Sequence, residues 1–318
     1  MLKVYKSLAL GELQEEARFK SNTLIVLTDP DSEKIKQVAS QFKLPEKFFT
    51  DSLDPQEHPR LERDSNGLLI VLNIPVTNPN AGKENEAPYI TLPFGIIHAE
   101  NNLFLVTKKA HQPLIDQFLN GQFGLFETHM KTRMTILLFK AVAKSYDDHL
   151  GFVKDETRVL QQKLRQSYQN RELFSLINQN KSLLQFSVAL SALTILYRQV
   201  INGYAVKIYP EEKGLLSDIL VDIEQSAEVA EMSRESLSNL MDAYAAIVHN
   251  NLNTVLKTLT ALAIILIIPS MIGSIFSMNV ALPSEEDPIS TVVVASIMVL
   301  VSVILLFFFY CKKYIRFD

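Results

Sequence analysis

The sequence predicts an α+β membrane protein with an N-terminal α/β cytoplasmic domain, a long helical stalk and a C-terminal two-span transmembrane hairpin. Three observations predict it. Two charge-free apolar runs close the chain, Thr258–Met278 and Ile289–Cys311. A helical pattern with no Pro or Gly between Gly214 and Pro269 leads into the first of them. Residues 1–125 interleave short β-branched runs with an amphipathic helical pattern.

The chain has 318 residues, room for more than one domain. Its net charge of −4 is mild and argues against a nucleic-acid partner. The single cysteine, Cys311, excludes an intrachain disulfide. Its place at a membrane boundary permits acylation, although space-filling is the plainer role.

In the first 125 residues, Thr23–Leu27 is a short apolar run with β-branched members and predicts a strand. Asp31 or Ser32 then caps a helix whose Ile35, Val38, Ala39 and Phe42 share one face. Gly67–Val76, Ala87–Ile97 and Asn102–Thr107 predict buried strands, and the polar stretch Asn78–Glu86 a loop. Strands interleaved with helices imply a sheet covered by helices.

Residues 126–208 turn helical and predict an antiparallel arm. One helix runs from Glu127 toward Ser167 and a second from Arg171 to Ala205, with Ser167 or Asn170 at the turn. Pro210 opens the stalk helix, which continues to Met278 through residues 209–278. At ~1.5 Å per residue it is on the order of 100 Å long. Between Glu211 and Asp242 it carries nine acids and two bases, with apolar residues recurring at Leu216, Ile219, Leu220, Ile223, Ala227, Ala230, Leu237, Leu240 and Met241.

Each closing run exceeds the ~18–20 apolar residues that cross a ~30 Å hydrocarbon core. Residues 279–288 form the external loop, 289–311 the second span and 312–318 a basic tail. Lys257 precedes the first span, and Lys312, Lys313 and Arg316 follow the second. The loop between holds only Glu285, Glu286 and Asp287 as charges. The positive-inside rule then puts both chain ends in the cytoplasm and the acidic loop outside. The start at Met1 is polar and unlike a signal peptide. The expected location is the cell membrane, with the lipid bilayer as a partner.

Steps of three and four along the first span pass through Asn253, Leu256, Thr260, Ala263, Ile267, Ser270, Ser274 and Ser277. This seam holds most of the span's small and polar residues. Alone it fits a packing stripe that lets helix backbones approach. It equally fits a pore wall, with hydroxyls toward water and Leu256 and Ile267 as hydrophobic constrictions.

Where the span stops, the sequence reads Ser277-Met278-Asn279, just before the acidic loop. This resembles the Gly-Met-Asn signature that ends the first of two C-terminal spans in the CorA family of divalent-cation transporters. Tyr244, Asn253, Lys257, Leu259, Thr260 and Pro269 fall in that family's order. The likeness covers the whole layout and is closest from Asp218 to Asn279.

The resemblance implies a homo-oligomer, a pentamer, that passes divalent cations. Mg²⁺ leads, with Co²⁺, Ni²⁺ or Zn²⁺ as further candidates, and no organic cofactor is implied. Ser277, Met278 and Asn279 would form the filter, in which a ring of Asn279 amides holds Mg²⁺ by its water shell. Mg²⁺ gives up water reluctantly and suits such a site. Asp218 and Asp242 fall where a relative binds regulatory Mg²⁺ between subunits. Ser277 stands where the family carries Gly. Gly reaches positive φ freely and Ser does not, so Ser277 is expected to add a hydroxyl, narrow the mouth or change the preferred ion.

No enzyme is expected. His58, His98, His111, His129, His149 and His249 are scattered without zinc spacing, and no Gly-rich phosphate loop is present. Asp147, Asp148 and His149 read as a solvated helix surface. The competing functional reading is a membrane-anchored assembly or signalling protein that retains the fold without conducting.

Overall fold

The computed structural model describes residues 1–83, 85–166, 170–203, 206–278 and 289–314, apart from the side chains of residues 165, 166, 170 and 290. The chain divides into two compact units, Met1–Asn239 and Leu240–Asp318.

The first unit opens with strands β1 (Leu2–Ala9), β2 (Glu12–Glu16) and β3 (Leu24–Thr28). Helices α1 (Ser32–Phe42) and α2 (Glu46–Asp51) follow, then β4 (Arg60–Asp64), β5 (Gly67–Thr77), β6 (Tyr89–Ala99) and β7 (Leu103–Thr107). The seven strands form one sheet in the order β2-β1-β3-β7-β6-β5-β4. Its only parallel pair among the described residues is β3 with β7, in register from Leu24↔Leu103 to Thr28↔Thr107.

Sequence reasoning found β3, β5, β6 and β7 and missed β1, β2 and β4. The reason is position. The missed strands lie toward the sheet edges, and β2 and β4 read ELQEE and RLERD. An edge strand keeps one row of backbone groups in solvent and is protected by charge rather than marked by apolar alternation.

Asp31 caps α1 by accepting from the Lys34 amide at 2.8 Å. An Asp N-cap is worth about 1 kcal/mol. Ile35, Val38 and Ala39 of α1 and Phe48 and Phe49 of α2 bury against Ile25, Leu27, Leu69, Val71, Phe104 and Val106. The approach is close at Gly95, where an added Cβ would lie 1.9 Å from the Ser52 hydroxyl.

Helices α3 (Gln112–Leu119), α4 (Lys131–Gln166) and α5 (Asn170–Ile201) complete this unit, with the first part of α6 (Pro210–Phe276). The start predicted at Glu127 moves to Lys131, because Glu127–Met130 closes a turn instead, with the Met130 amide on the Glu127 carbonyl at 2.9 Å. Ser167 and Ala205, expected at the ends of the arm helices, lie outside the described residues.

β7 pairs β6 only from Gly95 to His98, so the earlier half of β6 needs other partners. α5 supplies them. The Tyr89 amide donates to the Ser182 hydroxyl at 3.1 Å, and that hydroxyl donates to the Tyr89 carbonyl at 2.8 Å. The Thr91 amide donates to Gln185 at 3.2 Å. From α4, the Tyr146 hydroxyl donates to the Asn73 carbonyl at 2.9 Å. Phe139 and Tyr197 stack at 4.2 Å between α4 and α5.

α6 joins the arm through Leu216, Ile219, Ile223, Ala230 and Leu237, all buried and spaced for one helix face. Each buried Leu or Ile contributes about 1.5–3 kcal/mol. Arg198 pairs with Glu224 at 2.6 Å, and Ser187 donates to Glu231 at 2.9 Å. A pair this exposed contributes about 0–1 kcal/mol, so the apolar face dominates.

The second unit contains the rest of α6 and α7 (Ile289–Cys311). Beyond α7, the Tyr314 amide bonds the Phe309 carbonyl and the Lys313 amide bonds the Tyr310 carbonyl, both at 3.0 Å. Lys313 is left-handed at φ 59. The Tyr314 and Phe309 rings lie 5.8 Å apart. This is a Schellman cap with its accompanying apolar contact. A left-handed L-residue costs about 1–2 kcal/mol, which Gly at this position would avoid.

Candidate functional site

The candidate site lies on α6. Its seam residues Asn253, Leu256, Thr260, Ile267, Ser270, Ser274 and Ser277 are exposed within the chain, and Ala263 is half-buried. Leu256 and Ile267 are 49% and 62% exposed, well beyond what a packed helix face allows.

α7 covers a different side of α6. The Thr258 hydroxyl donates to the Tyr314 carbonyl at 2.9 Å. Ala261 is 1% exposed. A Cβ on Gly273 would lie 3.3 Å from the Met298 methyl. At about 100° per residue, the mean direction of these three positions is roughly 160° from that of the seam. Thus α7 takes the apolar side, and among the described residues the hydroxyl-bearing side has no partner.

Ser277 lies one residue past α6, in its closing turn. Its amide donates to the Gly273 carbonyl at 3.1 Å, and its hydroxyl donates to the Ser274 carbonyl at 2.9 Å. It is absent from the positive-φ residues, which include Lys313 and Asn85. Serine here therefore carries no left-handed strain, and its hydroxyl satisfies one of the carbonyls orphaned at a helix C-terminus. Met278 is exposed. Asn279, Glu285, Glu286, Asp287 and Arg316 lie outside the described residues.

Asp218 and Asp242 are both exposed on α6. Among the described residues, no group of three or more His, Cys, Asp or Glu side chains is placed to hold a metal ion. Of the carboxylates that line a common groove, Asp147 and Asp148 were read from sequence as solvated surface and Asp222 was not singled out. Asp147, Asp148 and Asp222 line one groove of about 850 Å³. Lys144 pairs with Asp147 and Asp148 at 2.9 Å each, which raises the Lys144 pKa. The i+3 and i+4 spacing from Lys144 was the available signal.

The histidines are not all alike. His58, His129 and His249 are exposed. His98 is buried, with Nε2 2.8 Å from the Thr135 hydroxyl, and burial pushes its pKa down to about 3, helped by Lys131. His111 is buried beside Thr107 at 3.0 Å, and burial lowers it to about 4. His149 corrects the expectation of a solvated surface. It is half-buried edge-on to Tyr89, Phe152 and Phe186, and burial lowers its pKa. Asp147 and Asp148 are exposed as expected.

Among the described residues, three helices are long and apolar enough to cross a membrane: α5, α6 and α7. α5 spends much of its apolar surface inside the first unit, where Leu176, Leu183, Phe186, Leu190, Leu193 and Tyr197 are buried. α6 and α7 have very little of theirs buried. An α/β body followed by helices whose apolar surface has no cover defines a membrane protein with a C-terminal transmembrane region.

The chain belongs to the family described as CorA-like Mg²⁺ transporter protein, which matches over residues 20–313. Members of this family are transporters rather than enzymes. The chain is 25% identical over 307 residues to the cobalt/magnesium transport protein CorA of Methanocaldococcus jannaschii, covering 93% of this chain and 92% of that one. It is 23% identical over 288 residues to the protein of the same name from Thermotoga maritima, covering 88% and 80%. Among solved structures, the complete CorA magnesium transporter of M. jannaschii matches with a TM-score of 0.84 at 22% identity, covering 99% of each chain. The full-length CmaX protein matches at 0.68 and 15% identity, covering 96% of each. At these identities the structural matches establish the fold.

Proposed function

We propose that this protein conducts a divalent cation across a membrane as a homo-oligomer, a pentamer, with Mg²⁺ the leading ion and Co²⁺, Ni²⁺ and Zn²⁺ as further candidates. The observation that carries the reading is the division of labour on α6. α7 covers the apolar side near Thr258, Ala261 and Gly273, while the seam from Asn253 to Ser277 is left open. Symmetric copies turned inward along that seam would enclose a hydroxyl-lined path, with Leu256 and Ile267 as constrictions that gate by dewetting. The names of the relatives, cobalt/magnesium transport proteins, support the choice of ions.

In this reading residues 1–125 form the cytoplasmic domain, 126–208 the arm, 209–278 the stalk and first span, 279–288 the outer loop, 289–311 the second span and 312–318 the tail. Glu285, Glu286 and Asp287 enrich cations at the outer mouth. Asn279 amides accept from the waters of a hydrated ion, below which stand Met278 and the Ser277 hydroxyl. An inside-negative potential drives entry by ~2.3 kcal/mol per charge per 100 mV. Asp218 and Asp242 meet neighbouring subunits, where Mg²⁺ relieves carboxylate repulsion and favours the closed ring.

Purified protein in liposomes, assayed for uptake of each of the four ions, tests this. Uptake driven by an inside-negative potential is expected. A folded oligomer that moves none of them would leave the non-conducting anchored protein as the better reading.

A further inference from the structure

We propose that Lys257, Lys312 and Lys313 form a clamp for the phosphate of an anionic phospholipid at the end of the α6–α7 pair. The inference rests on the second unit alone and does not depend on conduction.

The 2.9 Å hydrogen bond from Thr258 to the Tyr314 carbonyl joins two places distant in sequence. Lys257 directly precedes the donor, and Lys312 and Lys313 directly precede the acceptor. All three lysines are exposed. None has an ion pair among the described residues. The only described acid in this unit is Asp242, about four turns along α6 from Lys257. Three cations thus lie beside the two ends of that hydrogen bond, with no acid near them among the described residues.

The backbone is built to keep them there. The cap beyond α7 is closed by two hydrogen bonds and by the Phe309–Tyr314 contact. Its left-handed position holds Lys313 at φ 59, where Gly or Asn would fit with less strain. The chain keeps a lysine at the one position of the turn that disfavours a β-carbon, as it does with Lys43 after α1.

The surroundings select a lipid over a soluble anion. Tyr310 and Tyr314 are 55% and 42% exposed, and Phe307 and Phe308 are exposed beside them. Aromatic rings at the level of basic side chains mark the headgroup region of a bilayer. There a lipid phosphate reaches the ammonium groups while its acyl chains lie along the exposed faces of α7.

The test uses full-length protein in nanodiscs of equal phosphatidylcholine and phosphatidylglycerol, with retained lipid counted by native mass spectrometry. Wild-type protein is expected to enrich phosphatidylglycerol. K257Q/K312Q/K313Q is expected to lose that enrichment by about fivefold per lysine, on the order of a hundredfold in all. K313N, which suits the left-handed turn, should lose one lysine's share and K313R none. Equal retention of the two lipids by wild type, no loss in the triple variant, or no loss in K313N overturns the clamp. Displacement of the lipid by glycerol 3-phosphate at the same phosphate concentration overturns the lipid assignment. Size-exclusion profiles like the wild type confirm that each variant is folded.

Discussion

Gly273 of α6 and Met298 of α7 meet so closely that a Cβ on the glycine would stand 3.3 Å from the methionine methyl. Small residues let membrane helices approach in this way. A flexible Met can yield to one added carbon and cannot yield to four. Gly273→Ala is therefore expected to change stability by less than about 1 kcal/mol, and Gly273→Leu to cost about 1–3 kcal/mol. Thermal unfolding in detergent reads the difference, and adding Met298→Ala should recover part of the Leu loss. A Gly273→Leu protein as stable as wild type would show that the contact is not tight.

Asn279→Ala is expected to abolish divalent uptake while leaving the oligomer intact. The amide is the only group assigned to hold the hydrated ion at the mouth, and alanine offers no acceptor to its waters. Liposome uptake together with size-exclusion chromatography decides it. Unaltered Mg²⁺ uptake would remove the filter role.

Asp242→Ala should raise the cytoplasmic Mg²⁺ concentration needed for half-inhibition, by about fivefold or more if the site couples to gating as ordinary effectors do. Asp242 is exposed in the single chain and so is available to a neighbour. Current recorded against cytoplasmic Mg²⁺ measures the shift. An unmoved dose–response curve would mean that Asp242 is no sensor.

The first unit should lose stability in acid because of His98 and His111. Burial lowers their pKa values to about 3 and about 4, from an ordinary 6.5. Below 6.5 the unfolded chain therefore binds protons that the folded one refuses, and stability falls as pH drops through that window. Each histidine adds a slope of up to about 1.4 kcal/mol per pH unit. Denaturant unfolding from pH 7 to 4.5 should show this slope, reduced in His98→Gln. An identical slope in the variant would clear His98 of the effect.

Much of the architecture is legible in the sequence. Absence of charge over Thr258–Met278 and Ile289–Cys311 marks the membrane helices, because no soluble surface tolerates such runs. The three-and-four spacing of Ser270, Ser274 and Ser277 places their hydroxyls on one face of any helix. The core strands β5, β6 and β7 announce themselves by nearly continuous apolar runs, as strands buried on both faces do. The edge strands β2 and β4 carry no such mark, since they are held by pairing with β1 and β5 rather than by their own composition.

The sequence by itself determined the class of protein, the order of its parts and the face of α6 that bears the hydroxyls, because hydropathy and helical periodicity are properties of local sequence. Tertiary structure decided which side of α6 meets α7. It also put His149 against Tyr89 and set Thr258 on a carbonyl 56 residues away. Those outcomes depend on partners far along the chain, often backbone groups common to every residue, and no local pattern names such a partner.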